Sequence, residues 1–172
     1  ERSRAPEHEA MEQGRSKTRN RSLRRALEEV LDDEYRARAT YRAVLERHGP
    51  ARPFSAIVEA EDRHVHALLP LFRRHGFPVP EDPWRDRVEG PASLREACAA
   101  AVAAELENAA MFDRLGPAVA EHPDVAEVFR RLRQASAERH LPAFRRCLAR
   151  EGDTEPRGCG AGPQRRRRRG GH

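Results

Sequence analysis

The chain has 172 residues, enough for one domain with a real core and some terminal sequence left over. Aromatics make up 5% of it and no stretch alternates in the strand manner, so the long runs of Ala, Leu, Arg and Glu exclude a β fold and predict an all-α one. The net charge of +5 lies mostly in the tail: residues 152–172 carry +4 and residues 1–20 carry +1, which leaves 21–151 neutral, without the charge excess of a polyanion binder.

Residues 1–20 are charged and short of apolar anchors, and they are expected to be a disordered segment ahead of a domain at 21–151. The first helix places Leu23, Leu27, Val30, Glu34, Ala37, Tyr41, Val44 and His48 on one stripe, and Gly49-Pro50 ends it. Pro53 suits the first turn of a second helix, with Phe54, Ile57, Glu61, His64, Leu68 and His75 on its stripe, a kink at Pro70 and a stop at Gly76. A Pro-rich connection containing Trp84 fills residues 77–92. Ser93 with Glu96 forms a capping box for a third helix, whose stripe is Leu94, Cys98, Ala101, Glu105, Asn108, Phe112 and Leu115.

Gly116-Pro117 and His122-Pro123 bracket the next turn. The fourth helix follows with Val125, Phe129, Leu132, Ser136, His140, Phe144 and Cys147, carries Pro142 inside it, and closes at Gly152. Two short loops and one long one describe a four-helix bundle whose middle connection crosses over between helices 2 and 3. Helix 2 is about 33 Å long, and sixteen extended residues span about 50 Å, so the crossover can be made. Residues 152–172 are rich in Gly and Arg and are expected to form a disordered tail.

Each apolar stripe is interrupted near its middle by groups that a core does not bury alone: Glu34, Glu61 with His64, Glu105, and His140. A buried carboxylate without partners costs several kcal/mol, so four helices burying such groups together point to a shared cation. Their levels agree. Glu34 and His64 are placed symmetrically about the first turn, near residue 49, and Glu105 and His140 about the last, near 122.5. Glu61 and His64 have the i, i+3 spacing that puts a carboxylate and an imidazole on one helix face. Three Glu and two His favour iron, with manganese as the other choice, over thiolate-preferring metals.

The stretches 33–41, 53–64 and 135–144, with this Glu/His pattern, resemble the ferritin-like superfamily, specifically uncharacterised bacterial ferritin-like domains of the di-iron carboxylate type. The resemblance covers residues 22–150. It implies Glu34, Glu61, His64, Glu105 and His140 as metal ligands, up to two iron ions, and an oxidoreductase or ferroxidase using dioxygen or peroxide. It also implies a glutamate three residues before the last histidine, where this chain has Ala137; Glu138 falls off that face. Asn108 and Tyr41 are candidates for polar contacts around the ligands.

Blander readings stand beside these. Glu34 alone would pair with an arginine such as Arg38, and His48 and His75 suit helix C-terminal ends. His66 falls on the surface. Cys98 and Cys147 lie at matching heights and are expected to pack as small apolar residues ahead of forming a redox pair. Arg165, Arg166, Arg167, Arg168 and Arg169 offer a contact for nucleic acid or another polyanion, and the alternative function is a non-catalytic, stress-associated bundle that works through this tail. No apolar run reaches the length of a membrane span, so a cytoplasmic protein is expected, with room for a homodimer.

Overall fold

A computed structural model describes residues 5–153, and all regular structure in that range is helical. Helix α1 runs from Ala5 to His48, α2 from Phe54 to Arg74, and α3 from Leu94 to Val119. The fourth rod is continuous and has three parts: α4 over Pro123–Ala135, a π-helical turn over Ser136–His140, and α5 over Leu141–Asp153. None of these helices is long and apolar enough to cross a membrane. The Arg165–Arg169 run and Cys159 lie outside the described residues.

Two apolar clusters set the helix directions. One gathers Leu23–Leu31 of α1 with Leu68 and Phe72 of α2, Phe112 and Leu115 of α3, and Val125 and Phe129 of α4. The other gathers Tyr41 and Val44 with Phe54, Ile57, Cys98, Ala101, Phe144 and Cys147. Thus α2 and α3 run one way and α1 and the fourth rod run the other. Joining the far end of α2 to the near end of α3 requires the long connection to travel the length of the bundle, as expected.

That connection lies along α1. Gly76, with φ of 73°, turns the chain out of α2 in a conformation that costs other residues, and the Phe77 amide closes back on the Phe72 carbonyl at 2.8 Å. Farther on, the Trp84 indole donates to Asp32 at 2.8 Å and Arg47 donates to the Gly90 carbonyl at 2.7 Å. Gly90 is pressed so closely onto α1 that a Cβ there would stand 2.6 Å from the Ala43 carbonyl oxygen. His48 contacts the Pro91 carbonyl at 2.7 Å through Nε2, and the His75 amide reaches the Leu71 carbonyl, so both histidines work at helix ends. Exposed His66 bonds to its own helix at the Asp62 carbonyl.

Four expectations change. Residues 5–20 are helical, extending α1 at its N-terminal end; Pro6 falls in the first turn, where a helix tolerates it, and with no apolar stripe the side chains from Met11 to Asn20 stay exposed. The third helix runs past Gly116-Pro117 to Val119, because Val119 is itself a buried anchor for the last turn. Cys98 and Cys147 are joined as a disulfide, with Cα atoms 5.9 Å apart, tying α3 to α5. Arg38 does not pair with Glu34: buried on α1, it donates to Asp62 on α2 at 2.7 Å and to Asp82 of the crossover at 3.0 Å.

Arg38 therefore clamps three segments. Its partners differ in exposure, the Asp82 side chain being 12% accessible and that of Asp62 41%. Removing one side of a buried ion pair strands the other, whereas an exposed partner is rehydrated. Arg38→Ala is expected to destabilise the fold by about 3 kcal/mol and Asp62→Ala by less than about 1 kcal/mol, compared by urea denaturation.

Candidate metal centre

Between the two apolar clusters lies one polar layer. Along α1, Glu34 sits between Leu31 and Tyr41; along α2, Glu61 and His64 sit between Ile57 and Val65; along α3, Glu105 sits between Ala101 and Met111. Ser136 and His140 occupy the same level on the fourth rod, between Leu132 and Phe144. Glu34, Glu61, Glu105 and His140 are all at most 3% exposed, and the His64 side chain is 12% exposed. All five predicted residues are brought together.

They form two triads that share one member. Glu34, Glu61 and His64 present ligand atoms within 4.8 Å of one another, and so do Glu61, Glu105 and His140. Glu61 Oε2 lies 2.9 Å from His64 Nδ1, which is also 3.1 Å from Glu34 Oε2. The other oxygen, Glu61 Oε1, lies 3.2 Å from His140 Nδ1, which is 3.4 Å from Glu105 Oε1. The two imidazoles stack with ring centres 5.5 Å apart. Glu61 thus turns one oxygen to each triad.

The triads are held differently. In the first, the His64 Nδ1–H is shared between both carboxylates. In the second, His140 Nδ1 is buried and close to two oxygens, yet it is out of line for a hydrogen bond to either. Glu105 is instead fixed from outside: the Tyr41 hydroxyl donates to Oε1 at 3.1 Å and the Ser136 hydroxyl to Oε2 at 2.5 Å. Burial, then the charges of Glu105 and Glu61, push the Tyr41 phenol well above its ordinary range, so it stays a neutral donor.

Ser136 reaches Glu105 from the first residue of the π turn. Pro142 has no N–H to give the Glu138 carbonyl, and the chain widens ahead of it so that the Leu141 amide bonds to the Ser136 carbonyl. The extra residue in the turn leaves Ala137 off the buried face, while Ser136 stays on it beside His140. Where the resemblance implies a sixth carboxylate, the chain thus offers a hydroxyl bonded to an existing one. Glu138 is exposed and accepts from Gln134. Ser136 was the member of the site that the pattern missed, although its place on the apolar stripe, four residues before His140, was the available signal. Asn108 touches no ligand; its amide donates to Asp33 at 2.8 Å.

Charge compensation within the layer is internal. Burial, then the charge of Glu61, raises the Glu34 carboxyl well above the usual range. For Glu61 burial also acts upward, but its contacts with His140, His64 and Glu34 outweigh it and hold the group below that range. Burial opposes a charged His64, yet Glu34 and Glu61 overcome this and carry it to about 10. For His140 the same opposition is overcome by Glu105 and Glu61, which carry it to about 9. Without a metal, protons on the imidazoles do what a cation would do.

Comparison with protein families, with curated proteins and with solved structures gives no match to this chain. The chemistry of the layer rests on its own residues.

The raised histidines fix a pH dependence for the metal-free protein. Unfolded histidine titrates near 6.5, so between that pH and 9–10 the folded chain binds more protons than the unfolded one, and stability falls as pH rises. The contribution is complete below about pH 6.5 and is lost through the folded values. Urea midpoints are expected to decline from pH 7 to 10, and His64→Gln is expected to flatten that decline.

Proposed function

We propose that the chain is a ferritin-like metal-binding protein, a four-helix bundle whose buried layer holds two divalent ions, iron ahead of manganese, and that it acts as an oxidoreductase or ferroxidase. The observation that carries this reading is the sharing of Glu61, with one oxygen in each of two Glu/Glu/His triads. Glu34, Glu61 and His64 would hold one ion and Glu61, Glu105 and His140 the other. Five oxygen and nitrogen ligands without thiolate suit iron or manganese and leave positions for water or a substrate.

The donor set passes a further test. A layer evolved only to satisfy itself would complete its hydrogen bonds, yet His140 Nδ1 is buried without one while facing two carboxylates. A bundle with no use for these groups would gain stability by exchanging them for Leu and Ala. This weighs against the non-catalytic alternative that acts through the arginine tail.

Iron bound there would supply electron exchange with dioxygen or peroxide. The chain supplies the rest: the Tyr41 and Ser136 hydroxyls orient Glu105, Glu61 fixes the two triads relative to each other, and the apolar clusters on either side keep bulk water from the layer.

An anaerobic ferrous titration of the full chain tests the reading. Two irons per chain are expected, one in Glu105→Ala, and at least a hundredfold weaker binding in Glu61→Ala and Glu61→Gln, with folding checked by circular dichroism. A single iron in the parent chain would reduce the centre to a mononuclear one; no specific binding would overturn the iron assignment. Because ligand imidazoles must be neutral, binding is also expected to release protons from His64 and His140 at pH 7 and to tighten as pH rises toward 9, read as acidification of a weakly buffered solution.

A further inference from the structure

One cavity borders the polar layer, and it runs along the seam between α1 and α3. Glu34, Glu61 and Glu105 face its middle. Toward the N-terminal end of α3 its walls are mostly apolar: Ala37 and Val44 from α1, with Thr40 and Tyr41 between them, face Ala97, Ala101 and Ala104 from α3. At the other end stand Asp33 and Asn108. Its volume is about 90 Å³. A dry apolar cavity of about 150 Å³ accepts benzene, so this one has room for roughly four non-hydrogen atoms, with a fifth toward the mouth.

Two features set what would fill it. Close-packed interiors do not ordinarily leave such space, and here alanine at facing positions of two helices keeps it open beside the carboxylates. The polar end is also unfinished. Asn108 is 7% exposed and its amide nitrogen is spent on Asp33, but its carbonyl oxygen Oδ1 is buried with no hydrogen-bond partner. Such an oxygen needs a donor. A cation is the less suitable one, because Asp33 at that end is already engaged by Arg36 at 2.8 Å as well as by Asn108.

We propose that the α1–α3 cavity is the substrate pocket of the centre, and that it takes a small uncharged organic molecule with an apolar body of three or four carbons and one hydroxyl. The hydroxyl donates to Asn108 Oδ1, and the body passes the layer at Glu34 and Glu105 and lies against Ala104 and Ala101, the first two alanines of that wall within its reach. The assignment deepens the metal reading by naming a substrate class, and it rests on that reading for its chemistry alone. Binding itself requires only the cavity.

The probe is 1-butanol, with pentane as its isostere lacking the hydroxyl. Both are titrated into the full chain labelled with ¹³C at alanine methyls, and the methyl spectrum is recorded. Saturable shifts are expected at Ala37, Ala101 and Ala104, with none at Ala26, which is buried in the other cluster. Asn108→Leu is expected to weaken butanol roughly three- to tenfold, the worth of one hydrogen bond, while leaving pentane within about twofold. Ala101→Leu is expected to abolish both; should it fail to fold, the less buried Ala104→Leu replaces it.

Absence of saturable shifts at the cavity alanines, or equal butanol affinity in Asn108→Leu and its parent, would overturn the inference. An iron count on the same preparation separates the two readings. Iron bound without butanol overturns the pocket alone, whereas butanol bound by a chain that takes no iron supports the pocket and overturns the metal centre.

Discussion

Glu61 is a carboxylate buried between two imidazoles, one on each of its oxygens, and the rest of the molecule is arranged around its compensation. An isolated charge at that depth would cost several kcal/mol and would be lost to protonation. Its contacts with His64, His140 and Glu34 hold it ionised instead. Those groups come from α1, α2 and the fourth rod, and His140 in turn brings in Glu105 from α3. Each helix is therefore obliged to interrupt its apolar stripe at the same height. The core divides into two apolar clusters because the layer occupies the level between them.

Several features outside the layer serve the same constraint. The residues on either side of the layer, Ala97–Ala101 in one cluster and Met111–Val119 in the other, make the third helix run parallel to the second, which imposes the long crossover. The crossover must then be held to α1, and Arg38, one turn from Glu34, does so while also gripping Asp62, next to Glu61 on α2. Gly90 lets the same segment come to the α1 backbone at a distance no side chain permits. On the fourth rod, Pro142 cannot complete an α-helical turn, and the π turn that results begins at Ser136, which steadies Glu105.

What the sequence made legible was the part governed by periodicity. Stripes repeating at helical spacing, broken by Glu34, Glu61, His64, Glu105 and His140, gave both the helices and the layer, because one face of each helix must be buried and a charged group on it must have a partner. The sharing of Glu61 was hidden, since which oxygen meets which imidazole depends on side-chain rotamers. The π turn was also hidden: Pro142 announces a disturbance but does not say whether the helix bends or widens. Gly116-Pro117 misled because a buried Val119 beyond it outweighs the local break. Residues 5–20 misled in the opposite way, since a stretch without apolar anchors can still continue a helix that is anchored farther along. The disulfide between Cys98 and Cys147 turned on a separation of 5.9 Å that matching heights alone do not determine.

The two triads also differ in what it costs to open them, and this bears on how the proposed centre would fill. In the first, the His64 Nδ1–H is shared between two carboxylates, so a cation arriving between Glu34, Glu61 and His64 displaces a proton and breaks both contacts. In the second, His140 also gives up a proton but has no formed hydrogen bond to lose, and Glu105 is already oriented by Tyr41 and Ser136 through bonds that leave it facing Glu61. Preorganised groups bind at lower cost than groups that must first part. Glu105 also borders the cavity along the α1–α3 seam, as do Glu34 and Glu61. On the proposed reading the triad with His140 is therefore the one to fill first. A cation held by Glu61, Glu105 and His140 would add positive charge beside His64 and favour loss of its proton, which would ready Glu34, Glu61 and His64 for a second ion. A single shared carboxylate would then couple the two ions without any movement of the helices.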